Sequence, residues 1–195
     1  THHLRDSIRL KSGDACLVTD GQGGEAEASV GEFSADGRTC LHVQRVLIKT
    51  GSFNDAITLK VFPVMLRKGK TDLLVEKAQE LGVHEFHPIV SEHCEVQIAN
   101  EKTQKIIERW DRIAREASKQ SGNLKLLKIE APRSFKEALG DLSPDDPAVI
   151  FHPGPGSISF SEWSATIRGV KTLNIFIGPE GGFSEDEIRW AKWHR

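Results

Sequence analysis

Apolar and polar residues alternate in short runs along the first third of the chain. Within residues 56–62, for example, Ile57, Leu59 and Val61 lie at every second position. This period is typical of strands with one buried face. Strands are predicted, with turns between them, over residues 15–20, 26–33, 41–47 and 56–62. Short strands at this spacing predict a small β-barrel or sandwich over residues 1–68.

Helix and strand patterns alternate beyond the basic segment 67–70, which predicts an α/β domain with a parallel sheet over residues 69–195. The clearest helix covers residues 101–121, where Trp110 and Ala114 belong to one apolar face at helical spacing. Basic residues occupy the opposite face. Acidic residues four positions earlier favour a solvated helix face over an RNA-binding stripe.

Shorter elements complete this second domain. A helix that begins at Thr71 or Asp72 and ends at Gly82 is expected to hold Leu73, Leu74, Ala78 and Leu81 on one side. Further strands are predicted over residues 86–90, 125–129, 148–151 and 173–177, and a short helix over residues 134–139.

The most informative stretch joins the strand at 173–177 to a glycine-rich loop at 178–183 and a helix that begins at Ser184. The Ser184 hydroxyl can accept the Glu187 N–H while the Glu187 carboxylate reaches back to the Ser184 N–H, which is a capping box. Glycines let the backbone approach a ligand closely. This layout predicts a ligand crevice at the carboxyl edge of the sheet.

The charge of the loop bears on which ligand it takes. The lysine of a phosphate-binding loop and the glycine spacing of a dinucleotide-binding loop are both absent. Instead the loop and the first turn of the helix carry four acidic residues, Glu180, Glu185, Asp186 and Glu187. Their carboxylates would repel a phosphate. A neutral or cationic ligand fits better. The residues alone leave open a loop that only reverses the chain.

Residues 177–184, read as Ile-Gly-Pro-Glu-Gly-Gly-Phe-Ser, resemble the signature of the RsmE family of 16S ribosomal RNA uridine-N3 methyltransferases, which belong to the SPOUT class. Segments 77–83 and 116–122 also resemble this family. The family has arginine where this chain has His93, which argues against a role for that position, and often has arginine where Asn123 stands.

The resemblance implies a fold and a set of site residues. The expected fold is a PUA-like RNA-binding β-barrel followed by a SPOUT α/β trefoil-knot domain that binds S-adenosylmethionine. Expected cofactor-binding residues are Phe151, His152, Ile177, Gly178, Pro179, Glu180, Gly181 and Gly182. Expected RNA-binding residues are Arg5, Arg9, Lys11, Arg45, Gln120 and Ser121, for which solvated surface charges and a polar helix end are the alternative interpretation.

The catalytic base is not identified by the sequence. Uridine N3 is a poor nucleophile until its proton leaves, so a base or a donor to the flanking carbonyls is required. Glu180 and Glu116 are the candidates. Glu180 equally fits a role in holding its own loop.

Composition limits the partners and the compartment. The net charge of −2 argues against a nucleic-acid partner, so RNA binding would need a local basic patch. No apolar run is long enough for a membrane span or a signal peptide. Widely spaced cysteines suit a reducing cytoplasm. A zinc site at His84, His87, His93 and Cys94 is disfavoured by incomplete ligand spacing, so no metal is expected.

The family also implies a homodimer that acts on 16S ribosomal RNA within the small ribosomal subunit. Its chain continues past the helix after the glycine loop and thereby completes the knot, so a sequence that ends at Arg195 is expected to leave the knot incomplete. Two alternatives remain: an RNA-binding module without catalysis, and a nucleotide-binding enzyme. The carboxylates around the loop disfavour the second.

Overall fold

The chain forms two compact units, Thr1–Ser52 and Phe53–Arg195. The computed structural model describes residues 9–35, 38–48, 57–67, 69–94, 96, 100–154 and 156–194. Within them, no helix combines the length and the apolar character that crossing a lipid bilayer requires.

In the first unit, three strands form an antiparallel sheet in the order β1-β2-β3. They are β1 (Ala15–Thr19), β2 (Gly24–Phe33) and β3 (Thr39–Ile48). The Asp20 carboxylate shapes the first turn because it accepts the N–H groups of Gln22 at 2.7 Å and Gly24 at 2.9 Å. These hydrogen bonds lower the pKa of Asp20. The three strands predicted here from alternation are confirmed.

The second unit alternates strands and helices as predicted, although the single strand predicted over residues 86–90 is instead two short strands in different sheets. Its strands are β4 (Thr58–Pro63), β5 (Glu85–Phe86), β6 (Ile89–Val90), β7 (Lys128–Ile129), β8 (Arg133–Ser134), β9 (Ala148–Phe151) and β10 (Thr172–Ile177). Its helices are α1 (Lys70–Glu80), α2 (Asn100–Ser121), α3 (Phe135–Gly140), α4 (Phe160–Thr166) and α5 (Glu185–His194). A five-stranded parallel sheet has the order β7-β5-β4-β10-β9, and β6 pairs with β8 separately.

The placement of β4 corrects the predicted domain boundary. The strand predicted over residues 56–62 was assigned to the N-terminal β-domain, but β4 pairs in parallel with β10, from Thr58 opposite Thr172 to Pro63 opposite Ile177. Alternation of apolar and polar residues is typical of a strand with one solvent-exposed face, yet both faces of β4 are covered by the rest of the second unit. The boundary therefore lies near residue 52 rather than residue 68.

Two hydrophobic clusters cover the two faces of the parallel sheet. On one face, α3 and α5 pack on a cluster that includes Phe62, Phe135, Phe176 and Phe183. The Phe62 and Phe176 rings stack with centroids 4.4 Å apart. On the other face, α1 and α2 pack on a second cluster that includes Trp110. The carboxyl ends of β9 and β10, at Phe151 and Ile177, stay exposed, and the loops described below follow them.

The start of α1 differs from the prediction. Gly69, with φ +74°, is the N-terminal cap residue and makes no side-chain capping bond. The Thr71 hydroxyl instead contacts the Leu66 backbone, and Asp72 accepts the indole N–H of Trp110 at 3.0 Å. Thr71 is therefore used in a local contact with the preceding loop, and Asp72 in a tertiary contact with α2.

The buried side of α1 is also rotated from the predicted one. Ala78 is buried as predicted, and Val75 and Gln79 are buried beside it, whereas Leu73 and Leu81 are exposed. The Gln79 amide accepts the Leu127 N–H at 2.7 Å and donates to the Lys125 carbonyl at 2.9 Å. A polar residue can occupy this core position because its hydrogen bonds are satisfied.

Candidate functional site

The loops that follow β9 and β10 lie side by side. Phe151 and Ile177 are register partners at the ends of these strands, and their side chains are 48% and 40% exposed. A Cβ placed on Gly182 would lie 3.7 Å from Nδ1 of His152, and one on Gly154 would lie 3.5 Å from Cδ2 of the same ring. The structure therefore brings the two glycine-containing loops together around His152, at the edge that the sequence predicts.

Different glycines of the loop after β10 are required for different reasons. The Gly182 N–H donates to the Pro179 carbonyl at 2.9 Å, and Gly182 has φ +71°, which side chains other than glycine rarely adopt. A Cβ on Gly178 would lie 3.2 Å from the Phe183 ring. Gly181 is more open, because the nearest atom to an added Cβ is Cβ of His93 at 3.8 Å.

The predicted capping box at the start of α5 is confirmed. The Glu187 N–H donates to the Ser184 hydroxyl at 3.2 Å, and the Ser184 N–H donates to Glu187 Oε2 at 2.9 Å. The other carboxylate oxygen, Oε1, accepts the Glu92 N–H at 3.0 Å. Glu187 is buried, and its hydrogen bonds link the loop after β6 to the start of α5.

Glu180 is held by a residue that the sequence did not suggest. Its carboxylate pairs with the Lys70 ammonium at 2.5 Å, which joins the glycine loop to the start of α1. The hydrogen bond from Lys70 lowers the pKa of Glu180. The pairing with Lys70 fits the loop-holding role of Glu180.

The carboxylates around the loop are thus largely engaged by local partners. Glu180 pairs with Lys70, Glu187 caps α5, and Asp186 pairs with Arg189 at 3.2 Å. Their repulsion of a phosphate is weaker than the sequence alone suggested. The absence of a phosphate-loop lysine remains the stronger argument from the sequence against a phosphate ligand.

His93 contacts the glycine loop directly. Its Nδ1 lies 3.2 Å from the Gly182 carbonyl oxygen, across 89 positions of sequence. The sequence predicts no role for this position, because the family has arginine there. No local pattern could have revealed the contact, since it depends on the loops after β6 and β10 meeting at one edge.

A cavity of about 860 Å³ lies beside these loops, between β9, α4 and α5. Its wall includes Phe151 and His152 after β9, and Phe160 and Trp163 of α4. The Phe151 and Phe160 ring centroids are 5.7 Å apart. Helix α4, which supplies this aromatic wall, was not predicted from the sequence.

The candidates at the end of α2 lie away from the glycine loop. The two helices α1 and α2 run in the same direction, since Asp72 in the first turn of α1 contacts Trp110 while Glu80 at its end shares a groove with Glu116 and Gln120. α1 leads from the carboxyl edge of the sheet to the amino edge. Because α1 has 11 residues, it is about 16 Å long, and the groove at its end lies about that far from the carboxyl edge. The structure therefore does not bring Glu116 to the site.

At the same end of α2, Ser121 makes a local contact and Asn123 also reaches the end of α1. The Ser121 hydroxyl donates to the Ala117 carbonyl at 2.9 Å. The Asn123 amide donates to the Gln79 carbonyl at 3.1 Å and accepts the Lys125 N–H at 3.3 Å. These bonds are those of a polar helix end.

The basic candidates of the first unit are exposed where they are described. Arg9, Lys11 and Arg45 all have exposed side chains. Arg45 lies on β3 opposite Glu27 of β2. Arg5 lies outside the described residues.

The residues considered for zinc each have a separate partner. His84 Nδ1 accepts the Leu59 N–H at 3.1 Å, and the Cys94 thiol donates to the Met65 carbonyl at 3.3 Å. His87 bonds to Glu85 at 2.8 Å, and burial lowers the pKa of His87. In the part of the chain that the structure describes, no three His, Cys, Asp or Glu residues are arranged to hold a metal ion.

Comparison with known proteins identifies the family. Residues 54–194 match the model of the RNA methyltransferase domain. A Bacillus subtilis protein named ribosomal RNA small subunit methyltransferase E is 30% identical over 193 residues, which are 96% of this chain and 73% of that protein. A Synechocystis protein of the same name is 27% identical, over 97% of this chain and 60% of that protein.

Solved structures share the fold. A Legionella pneumophila methyltransferase in complex with S-adenosylmethionine matches with a TM-score of 0.86 at 22% identity, over 99% of this chain and 76% of that one. A Neisseria gonorrhoeae ribosomal RNA small subunit methyltransferase E bound to S-adenosylmethionine matches with a TM-score of 0.84 at 21% identity, over 98% and 76%. On the family model and the Bacillus subtilis relative, this chain belongs to the ribosomal RNA small subunit methyltransferase E family of RNA methyltransferases.

Proposed function

We propose that this protein transfers a methyl group from S-adenosylmethionine to N3 of a uridine in 16S ribosomal RNA, at the carboxyl edge of β9 and β10. Membership of the RNA methyltransferase family supports the reaction class. The contact between the loops after β9 and β10 around His152 is the observation that carries the position of the site.

The residues at this edge suit S-adenosylmethionine in their chemistry. The exposed Phe151 and Ile177 offer apolar surface to an adenosyl group, and the loop 178–182 offers backbone N–H and C=O groups. Nδ1 of His152 is buried and has no hydrogen-bond partner among the described residues. A buried unpaired polar atom of this kind is costly and is often found at functional sites.

In this arrangement the cofactor supplies an activated methyl group, and the protein supplies alignment. Phe151, His152, Ile177 and the loop from Gly178 to Gly182 would hold the donor. The Lys70–Glu180 pair and the capping box of α5 would keep that loop in place.

The proposal extends to the whole molecule. The first unit would be a PUA-like β-barrel in which Arg5, Arg9, Lys11 and Arg45 contact phosphates, and the second would be a SPOUT domain with a trefoil knot. Gln120 and Ser121 would meet the RNA at the far end of α2. The protein would act as a cytoplasmic homodimer on the small ribosomal subunit.

Calorimetry tests the ligand. S-adenosylhomocysteine should bind and ATP should not; binding of ATP alone would instead support a nucleotide-binding enzyme. RNA binding without S-adenosylhomocysteine binding would support a module without catalysis. Gly182→Ala should weaken S-adenosylhomocysteine binding, because the new Cβ would occupy space beside His152 that the proposed cofactor site uses. Gly169→Ala is the matched control, because φ is +68° there and an added Cβ meets nothing within 4 Å.

Mass mapping of ribosomal RNA tests the target base. A strain that lacks the gene should lose one methyl group from a 16S uridine, and the gene supplied on a plasmid should restore it. A loss at any other base, or in the large-subunit RNA, would contradict the proposed target.

A further inference from the structure

The contact between His93 and the glycine loop determines which nitrogen of the ring carries a hydrogen. Nδ1 of His93 lies 3.2 Å from the Gly182 carbonyl oxygen. A carbonyl oxygen only accepts hydrogen bonds, so Nδ1 must be the donor. In a neutral imidazole the other nitrogen, Nε2, then carries a lone pair. The fold therefore selects the tautomer whose Nε2 is a base.

This base lies beside the glycine loop, at the carboxyl edge of the parallel sheet. Cβ and Nδ1 of His93 lie 3.8 and 4.0 Å from the position of a Cβ on Gly181, so the side chain rests against the loop. The side chain is exposed, and within the described residues Nε2 has no hydrogen-bond partner. A hydrogen bond from Nδ1 to a fixed carbonyl is a common way to orient a catalytic histidine.

Several other acids and bases near the loop are engaged by partners or buried. Glu180 pairs with Lys70, and both carboxylate oxygens of Glu187 accept backbone N–H groups. Nδ1 of His152 is buried. Glu116 lies at the other end of α2. His93 differs from these groups because it is exposed beside the loop and a hydrogen bond orients its ring.

We infer that His93 is the proton acceptor for the target uridine, an assignment that rests on the proposed methyltransferase function. The proton leaves N3 and binds Nε2 of His93. The N3 lone pair forms the new bond to the methyl carbon, and the electron pair of the broken carbon–sulfur bond stays on sulfur. The products are N3-methyluridine, the neutral thioether and protonated His93, which later releases its proton to water.

Two variants separate proton acceptance from loop positioning. In His93→Asn, the amide NH₂ can replace the Nδ1 donor to the Gly182 carbonyl, but no basic nitrogen remains. His93→Ala removes the donor and the base together. The full-length protein should be used, with S-adenosylhomocysteine binding measured by calorimetry and methyl transfer measured in single turnovers on RNA from the deletion strain.

The expected results follow from a role in proton transfer. His93→Asn should bind S-adenosylhomocysteine and RNA as the wild type does, yet transfer the methyl group about 100-fold or more slowly, as loss of a general base does. Added imidazole should restore part of the rate to His93→Ala. The assignment would be overturned if His93→Asn transferred the methyl group at a rate within about threefold of the wild-type rate. It would also be overturned if imidazole had no effect on the rate of His93→Ala.

Nuclear magnetic resonance supplies a readout that is independent of activity. Long-range ¹H–¹⁵N spectra of histidine-labelled protein with S-adenosylhomocysteine bound should show His93 with hydrogen on Nδ1, its signal being the one missing from His93→Asn. Hydrogen on Nε2 in the neutral ring would overturn the assignment. If the wild type itself neither binds S-adenosylhomocysteine nor methylates uridine, the proposed function fails and the assignment fails with it. If only the His93 results fail, the proposed function stands.

Discussion

The contact between Gly178 and Phe183 allows a quantitative test of how the glycine loop is held. A Cβ on Gly178 would lie 3.2 Å from two atoms of the Phe183 ring, which is closer than an ordinary contact. The ring has little room to move, because it is 3% exposed and its centroid lies 4.9 Å from that of Phe135. Gly178→Ala should therefore overpack the loop at a cost of about 1–3 kcal/mol.

The same substitution should behave differently when the ring is absent. Gly178 has no positive φ, so alanine there causes no backbone strain and restricts the unfolded chain, a gain of about 0.4–1 kcal/mol. Phe183→Ala alone should cost about 3–5 kcal/mol through the cavity it leaves. Adding Gly178→Ala to it should cost nothing further. The interaction energy of the double-mutant cycle should be about 1–3 kcal/mol in favour of the double variant.

Urea unfolding measures these free energies, and all four tryptophans report on the second unit. Phe183→Leu, which removes less volume, serves if Phe183→Ala does not fold. Gly140→Ala is the control, since a Cβ there meets nothing within 4 Å, and it should be neutral or slightly stabilising. Additive effects of the two substitutions, within about 0.5 kcal/mol, would refute the argument that Phe183 requires glycine at position 178.

Two further predictions concern buried and exposed charges. Burial lowers the pKa of His87, so the unfolded chain binds more protons below about pH 6.5 and stability should fall as the pH drops through that value. His87→Gln should reduce this pH dependence in urea unfolding, and an unchanged slope would contradict the assignment. Lys70→Met and Glu180→Gln should each weaken S-adenosylhomocysteine binding without moving the unfolding midpoint, because their ion pair is exposed. The double variant should be no worse than either single one, and additive losses would show that the residues act separately.

Local patterns were sufficient where an element depends mainly on its neighbours in sequence. The capping box of Ser184 and Glu187 needs only residues three positions apart, and both of its bonds are present. The apolar face of α2 was read correctly because Trp110, Ala114 and Ala117 repeat at helical spacing over a long segment. The crevice followed from the rule that carboxyl ends of parallel strands meet at one edge.

Local patterns failed where burial came from distant parts of the chain. The alternation within residues 56–62 predicted a strand correctly, but not that it would lie beside β10, more than a hundred residues later. In α1, Gln79 was not expected in the core, and it is there because the backbone at Lys125 and Leu127 satisfies its amide. Leu73 and Leu81 are left exposed in consequence.

The sequence by itself determined the elements, the α/β class of the second unit and the glycine loop with its helix cap, because these depend on propensity, period and short-range hydrogen bonds. Only the tertiary structure decided that β4 belongs to the parallel sheet, that Glu116 lies far from the loop, and that Lys70 and His93 hold it. The physical reason is that a side chain's partner across a sheet edge is chosen by the topology of the strands. No periodicity along the chain carries that information.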